Sequence, residues 1–140
     1  MQRTTAWIYT TIAWITVAGL LLQFYAAGMA LFGTTTFEFH RSLGFALQLP
    51  ALALLIAALA GRMGRQVIGL SALLVVLTFV QGLLPVFRDD ASLIAALHPV
   101  GGLVLLGLTW LCARQGRAVA VARGAEQKTD AGALSERLTS

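Results

Sequence analysis

Charge is what this chain has least of. Asp, Glu, Lys and Arg make up 11% of its 140 residues, against 58% hydrophobic ones, where a soluble domain is about a quarter charged and half apolar. With a mean hydropathy of +0.80, so few polar groups could not cover the surface of a soluble globule, and that class is excluded. Cysteine is almost absent. The single Cys112 rules out an internal disulfide, a dithiol redox pair and a cysteine metal cluster. Paired carboxylates, an activated nucleophile and a phosphate-binding loop are also lacking, so an enzyme acting alone is the weakest reading. The turn Gly61-Arg62-Met63-Gly64-Arg65 is too short to hold a nucleotide and reads instead as a positively charged connection.

What the chain does have is four apolar runs, at about 6–31, 40–60, 67–87 and 93–113, each long enough for the about 20 residues that a membrane span requires. Gly33-Thr34-Thr35-Thr36, the Gly61 to Arg65 turn and Arg88-Asp89-Asp90 separate them. Connections this short make consecutive helices antiparallel neighbours. The expected fold is therefore all-α, an antiparallel four-helix transmembrane bundle filling residues 1–115 and surrounded by membrane lipid. Residues 116–140, a mixture of Ala, Gly and charges, read as a mobile cytoplasmic tail.

The formal net charge of +4 does not point to nucleic acid, because the basic residues sit at the ends of the apolar runs. Arg3, Arg62, Arg65, Arg114, Arg117, Arg123, Lys128 and Arg137 fall on one side, and Arg41 and Arg88 on the other. The positive-inside rule then places both termini in the cytoplasm of a cell whose inner membrane the chain crosses. Trp7 and Trp110 lie near the inner interface, where belt aromatics belong. Ala27-Gly28-Met29-Ala30 resembles a signal cleavage site, but the apolar stretch before it is too long for an ordinary signal peptide.

Sliding the sequence on itself by 58 positions superposes Gln23 on Gln81, His40 on His98 and Gly44 on Gly102. His40 and His98 are the only histidines, and the two glutamines interrupt otherwise apolar first and third spans. The register predicts two repeated helical hairpins packed about a pseudo-symmetric centre. In each hairpin the Gln and the His are equidistant from the turn. All four side chains are expected in one layer of the outer membrane half, facing inward to find partners.

Two imidazoles from different helices, opposed across a bundle, form the axial ligand set of a six-coordinate b-type haem. The glycines at His-x-x-x-Gly, Gly44 and Gly102, lie one turn from each histidine and would clear space for a flat macrocycle. Arg41 and Arg88 are the external cations available to anionic propionates. Gln23 and Gln81 read as hydrogen-bonding residues that line the site. Against this stand interhelical hydrogen-bond glue with close glycine packing, a proton relay, and a small metal site, for which zinc normally needs further protein ligands. Pro99 follows His98 and should distort the fourth helix, freeing a carbonyl one turn earlier. Glu38 reads as a helix-start carboxylate, Met29 and Met63 as packing residues, and Cys112 as a small buried one.

The segment Phe37-Glu38-Phe39-His40-Arg41, followed by Gly44 and by His98 at the equivalent place on the fourth helix, resembles one four-helix half of haem A synthase. It also resembles small four-span bacterial membrane proteins with paired intramembrane histidines. The resemblance covers about residues 6–113 and implies haem b ligation by His40 and His98. Two departures accompany it. This chain has one half where that family has two, so a homodimer would be needed to restore eight helices. Glu38 stands two residues before His40 rather than three, a shift of about 100° around a helix, so oxygenase chemistry does not follow. The expected function is bis-histidine haem binding for electron transfer or haem handling, with a redox partner or quinone. The alternative is a structural or transport subunit that binds lipid, quinone or a partner helix.

Overall fold

The computed structural model describes residues 2–139. Its helices are α1 (Gln2–Leu31), α2 (Phe37–Ala46), α3 (Gln48–Ala60), α4 (Arg65–Leu83), α5 (Ser92–Ala95) and α6 (Leu97–Thr139), with a 3-10 turn at Leu84–Phe87 after α4. They make four helical stretches long and apolar enough to cross a membrane: Gln2–Leu31, Phe37–Ala60, Arg65–Phe87 and Ser92–Leu138. Among the described residues there is no strand.

Each interruption has a proline behind it. A helical residue donates its N–H to the carbonyl four positions earlier, and proline has none to donate. Pro50 therefore leaves the Ala46 carbonyl unbonded by the helix, and the second stretch breaks at Leu47 between α2 and α3. Pro99 does the same to Ala95, and the fourth stretch breaks at Ala96, as its position beside His98 predicts. Pro85 opens the 3-10 turn that closes α4. The second stretch starts three residues before the expected 40, because Thr36 caps it by accepting the Glu38 N–H at 3.4 Å. Glu38 lies in that first turn, as a helix-start carboxylate should.

In the bundle α1 packs against α3 and α6, and α4 packs against the same two helices. The core along this ring is built from Tyr9, Leu54, Leu74, Thr109, Cys112 and Ser71, all fully buried. The buried hydroxyls are satisfied locally. Ser71 and Thr109 donate to the carbonyls of Val67 and Leu105, and the Tyr9 hydroxyl lies 2.9 Å from Ser71 Oγ. Since Ser71 spends its hydrogen on Val67, Tyr9 is the donor in that pair. Met63 joins this core rather than a site.

The segment expected to form a mobile tail, from residue 116, is helical over its described residues. α6 runs unbroken to Thr139, and Gly116, Ala120 and Gly124 are buried. Gly116 lies under the Tyr9 ring, where an added Cβ would come within 2.5 Å of Cδ1. Arg123 donates to the carbonyls of Gln2 (2.8 Å), Gly61 (2.9 Å) and Arg62 (3.0 Å). One guanidinium thus ties α6 to the start of α1 and to the α3–α4 turn, where Arg62 is the one non-glycine residue with positive φ among those described, at 47°. The fork geometry of Arg makes such multiple carbonyl contacts available to a single side chain. From Ala125 to Leu138 every residue is exposed.

Candidate functional site

At the end of the bundle away from Arg123, His40 on α2 and His98 on α6 face each other. Their ring centroids are 5.8 Å apart and the rings are inclined at 72°. Each is anchored in the same way: His40 Nδ1 lies 3.1 Å from the backbone carbonyl of Gln23, and His98 Nδ1 lies 3.0 Å from that of Gln81. A carbonyl only accepts, so each Nδ1 must carry the hydrogen. In the neutral ring Nε2 is then an unprotonated acceptor, and its orientation is fixed from behind. This is the arrangement in which histidine serves as a ligand, with the second nitrogen held by an outer partner.

The separation can be compared with what one central ion would require. Two metal–nitrogen bonds of about 2 Å on opposite sides of an ion put imidazole centroids about 6 Å apart, close to the observed 5.8 Å. Among the described residues no three His, Cys, Asp or Glu side chains gather into a metal-binding group. The protein's donors at this place are therefore two imidazoles, too few for a tetrahedral zinc site and the number a macrocycle leaves to be supplied.

The histidines border a cavity of about 710 Å³, within the usual range of about 300–1,000 Å³ for ligand pockets. It lies beside the Leu47 break: α3 packs on α4, whereas α2 packs chiefly on α1 and α3. Gln23, Gln81, Gly44, Arg41 and Arg88 all line this cavity. Phe37 does too, and its ring stands edge-on to His40 at 6.1 Å. The Arg88 Nε donates to Asp89 at 3.3 Å, with both side chains exposed. A pair so solvated contributes little and leaves the guanidinium free to turn toward an anion.

The glycines are placed differently from expectation. The space left by Gly44 is taken by the Gln23 amide, whose Nε2 lies 2.7 Å from where a Cβ would stand. Gly102 is not among the residues lining the cavity. It lies under the Phe24 ring, 3.1 Å from a Cβ position. The closest approach in the second half is at Gly101, which faces the Gln81 amide and which the His-x-x-x-Gly spacing did not identify. The two amides also differ. Gln81 donates Nε2 back to the His98 carbonyl, making a reciprocal pair, while Gln23 Oε1 is buried with no hydrogen-bond partner among the described residues. An unsatisfied buried acceptor costs about 1–3 kcal/mol, so Gln23 is poised to bond something that enters the cavity. Gln48 and Thr78, also lining residues, were missed because nothing in their spacing sets them apart from packing residues.

Residues 23–86 match the model of a family of unknown function, DUF6220. The matched stretch begins at Gln23 and takes in His40, Gly44 and Gln81, whereas His98 lies beyond it. No curated protein and no solved structure matches the chain.

Proposed function

We propose that this chain is a membrane-spanning, b-type haem-binding protein in which His40 and His98 would hold the haem iron. The observation that carries the reading is the matched pair of Nδ1-to-carbonyl contacts, which holds two facing imidazoles with Nε2 available. Arg41 and Arg88 at the cavity wall are the cations that would meet propionates, and Gln23 and Gln81 would flank the ring. A bis-histidine haem supplies one-electron chemistry without an open coordination position. Gln23 and Gln81 must swing off Gly44 and Gly101 to admit a macrocycle, which flexible side-chain ends can do.

In this reading the four stretches are antiparallel and form two repeated hairpins. Support comes from the short connections, and from the same Gln-to-His contact recurring 58 residues apart. Arg123 places the start of α1, the α3–α4 turn and α6 at one end, and that end carries the larger number of basic residues. It is therefore the cytoplasmic end of an inner-membrane protein. The histidine layer lies toward the opposite face.

The test is the oxidised and reduced visible spectrum of the detergent-purified chain, beside His40→Ala and His98→Ala, all expressed with ample haem. A sharp reduced α-band that both substitutions abolish is expected. A wild type that stays colourless after haem titration refutes the proposal.

A further inference from the structure

The floor of the cavity carries polar groups that the histidine layer does not use. Gln48 follows His40 by eight residues, about 12 Å along the helical stretch. It lies near the middle of Phe37–Ala60, about 16 Å from one end and about 18 Å from the other. In a membrane-spanning chain that is mid-bilayer, where a carboxamide without a partner is costly. Among the described residues none hydrogen-bonds the Gln48 amide. It borders the main cavity beside Thr78 and Gly82, and its Nε2 is 3.5 Å from the place a Gly82 Cβ would occupy. Thr78 donates its hydroxyl hydrogen to the Leu74 carbonyl at 2.6 Å, so its oxygen remains only an acceptor.

A second cavity, of about 190 Å³, also borders Gln48 and Thr78. Its other walls are Leu49, Ala51, Leu52, Val75 and Phe79, of which Leu49 and Phe79 are well exposed on the outer, lipid-directed surface. Gln48 and Thr78 are thus walls shared by the two cavities, and a ligand spanning both passes between these side chains. One cavity is wide and has hydrogen-bonding groups at its floor, and the other is narrow, apolar and directed between α3 and α4 toward lipid.

We propose that Gln48 and Thr78 bind the head of an isoprenoid quinol, whose ring lies on the cavity floor over Gly82 and whose tail follows the α3–α4 slot. A charged head is disfavoured at this depth, because burying an ion without a paired charge costs many times a hydrogen bond, and Arg41 is seven residues toward the helix end. The head must be neutral, must both accept from an amide and donate to a hydroxyl, and must be wider than its tail. A quinol hydroxyl does both, its oxygen accepting from the Gln48 N–H₂ and its hydrogen donated to Thr78 Oγ1. A fatty alcohol would satisfy the contacts but leave the wide floor unfilled. The site goes beyond the haem reading and does not depend on it.

The experiment is equilibrium binding of tritiated decyl-benzoquinol, kept reduced under anaerobic conditions, to the full chain in nanodiscs, corrected for empty discs. Saturable binding is expected, weakened about tenfold, the equivalent of one hydrogen bond, in Gln48→Leu and in Thr78→Val. Val75→Phe, which narrows the slot and leaves both head contacts in place, is expected to weaken it too. A wild-type chain that is colourless and still binds the probe separates failure of the haem reading from failure of this one. Non-saturable binding, or equal binding in wild type, Gln48→Leu and Thr78→Val, overturns the proposal. Displacement by decanol or oleate as effective as by unlabelled quinol overturns the assignment to quinol in favour of a general acyl-chain site.

Discussion

Replacing Arg123 by Ala removes three hydrogen bonds at once and is the sharpest test of how the end of the bundle is closed. Charge-assisted hydrogen bonds contribute about 1.5–3 kcal/mol each when well shielded. Arg123 is only half-buried, and solvent screening reduces the contribution of such contacts, so about 1 kcal/mol apiece is the appropriate scale. The carbonyls of Gly61 and Arg62 lie at the α3 C-terminus and regain water in the variant, which adds no orphan cost. The loss is then about 3 kcal/mol, or roughly a hundredfold in the local opening equilibrium. Amide exchange read by mass spectrometry on the nanodisc-embedded chain should show it at Gly61, Arg62 and Met63. Their N–H groups bond the α3 carbonyls of Ala57, Leu59 and Ala58. Arg123→Lys should recover at most one contact, since an ammonium cannot reproduce the fork. Arg117→Ala, at an exposed position on the same helix, should stay within about 0.5 kcal/mol of wild type. If exchange in the α3–α4 turn is unchanged in Arg123→Ala, the clasp contributes nothing and the packed reading of residues 116–124 falls with it.

Removing residues 125–140 should leave the thermal unfolding midpoint in detergent unchanged, whereas removing residues 116–140 should lower it, because only the longer deletion takes Gly116, Ala120 and Arg123. Gly116→Ala forces a Cβ against the buried Tyr9 ring and should destabilise by about 1–3 kcal/mol, measurable by chemical denaturation. Tyr9→Phe leaves Ser71 bonded to Val67 and should cost about 1 kcal/mol, and a double cycle with Ser71→Ala should show the two losses to be non-additive. Pro99→Ala supplies the N–H that the Ala95 carbonyl lacks and should close the break at Ala96, detected as a new, protected amide at residue 99, where the wild type has none. Under the haem reading it also shifts the reduced α-band by reorienting His98.

The four stretches were legible because apolar runs of span length leave few alternatives, and the Gln–His layer because rare polar residues in register have few reasons to be there. The break at Leu47 was equally readable from Pro50, through the same missing N–H argument that Pro99 invites. Arg123 was not. In an Ala-rich, charged segment the sequence offers helix propensity but no sign that one guanidinium will find three carbonyls from distant parts of the chain. Gly101 escaped because helix spacing identifies the residue one turn below His98, whereas the Phe24 ring fills that place and the Gln81 amide folds onto the neighbouring glycine.

The Gln-to-His contact recurs at a spacing of 58, but the features that shape the cavity do not. The counterpart of Pro50 at that spacing is Leu108, and that of Pro99 is Arg41. One histidine-bearing helix is therefore broken seven residues after its histidine, at Leu47, and the other two residues before it, at Ala96. The first break borders the cavity, whose lining includes Leu47, and the second lies next to His98. The amides follow the same division, with Gln81 bonded to the His98 carbonyl and Gln23 left with a buried, unpaired oxygen. A purely structural pair of hydrogen-bonded hairpins has no need for this inequality, since satisfying both amides alike would be more stable. An unpaired acceptor on the open side, beside the two histidines and one helical stretch from an unbonded Gln48, is the inequality that the proposed haem and quinol sites would require.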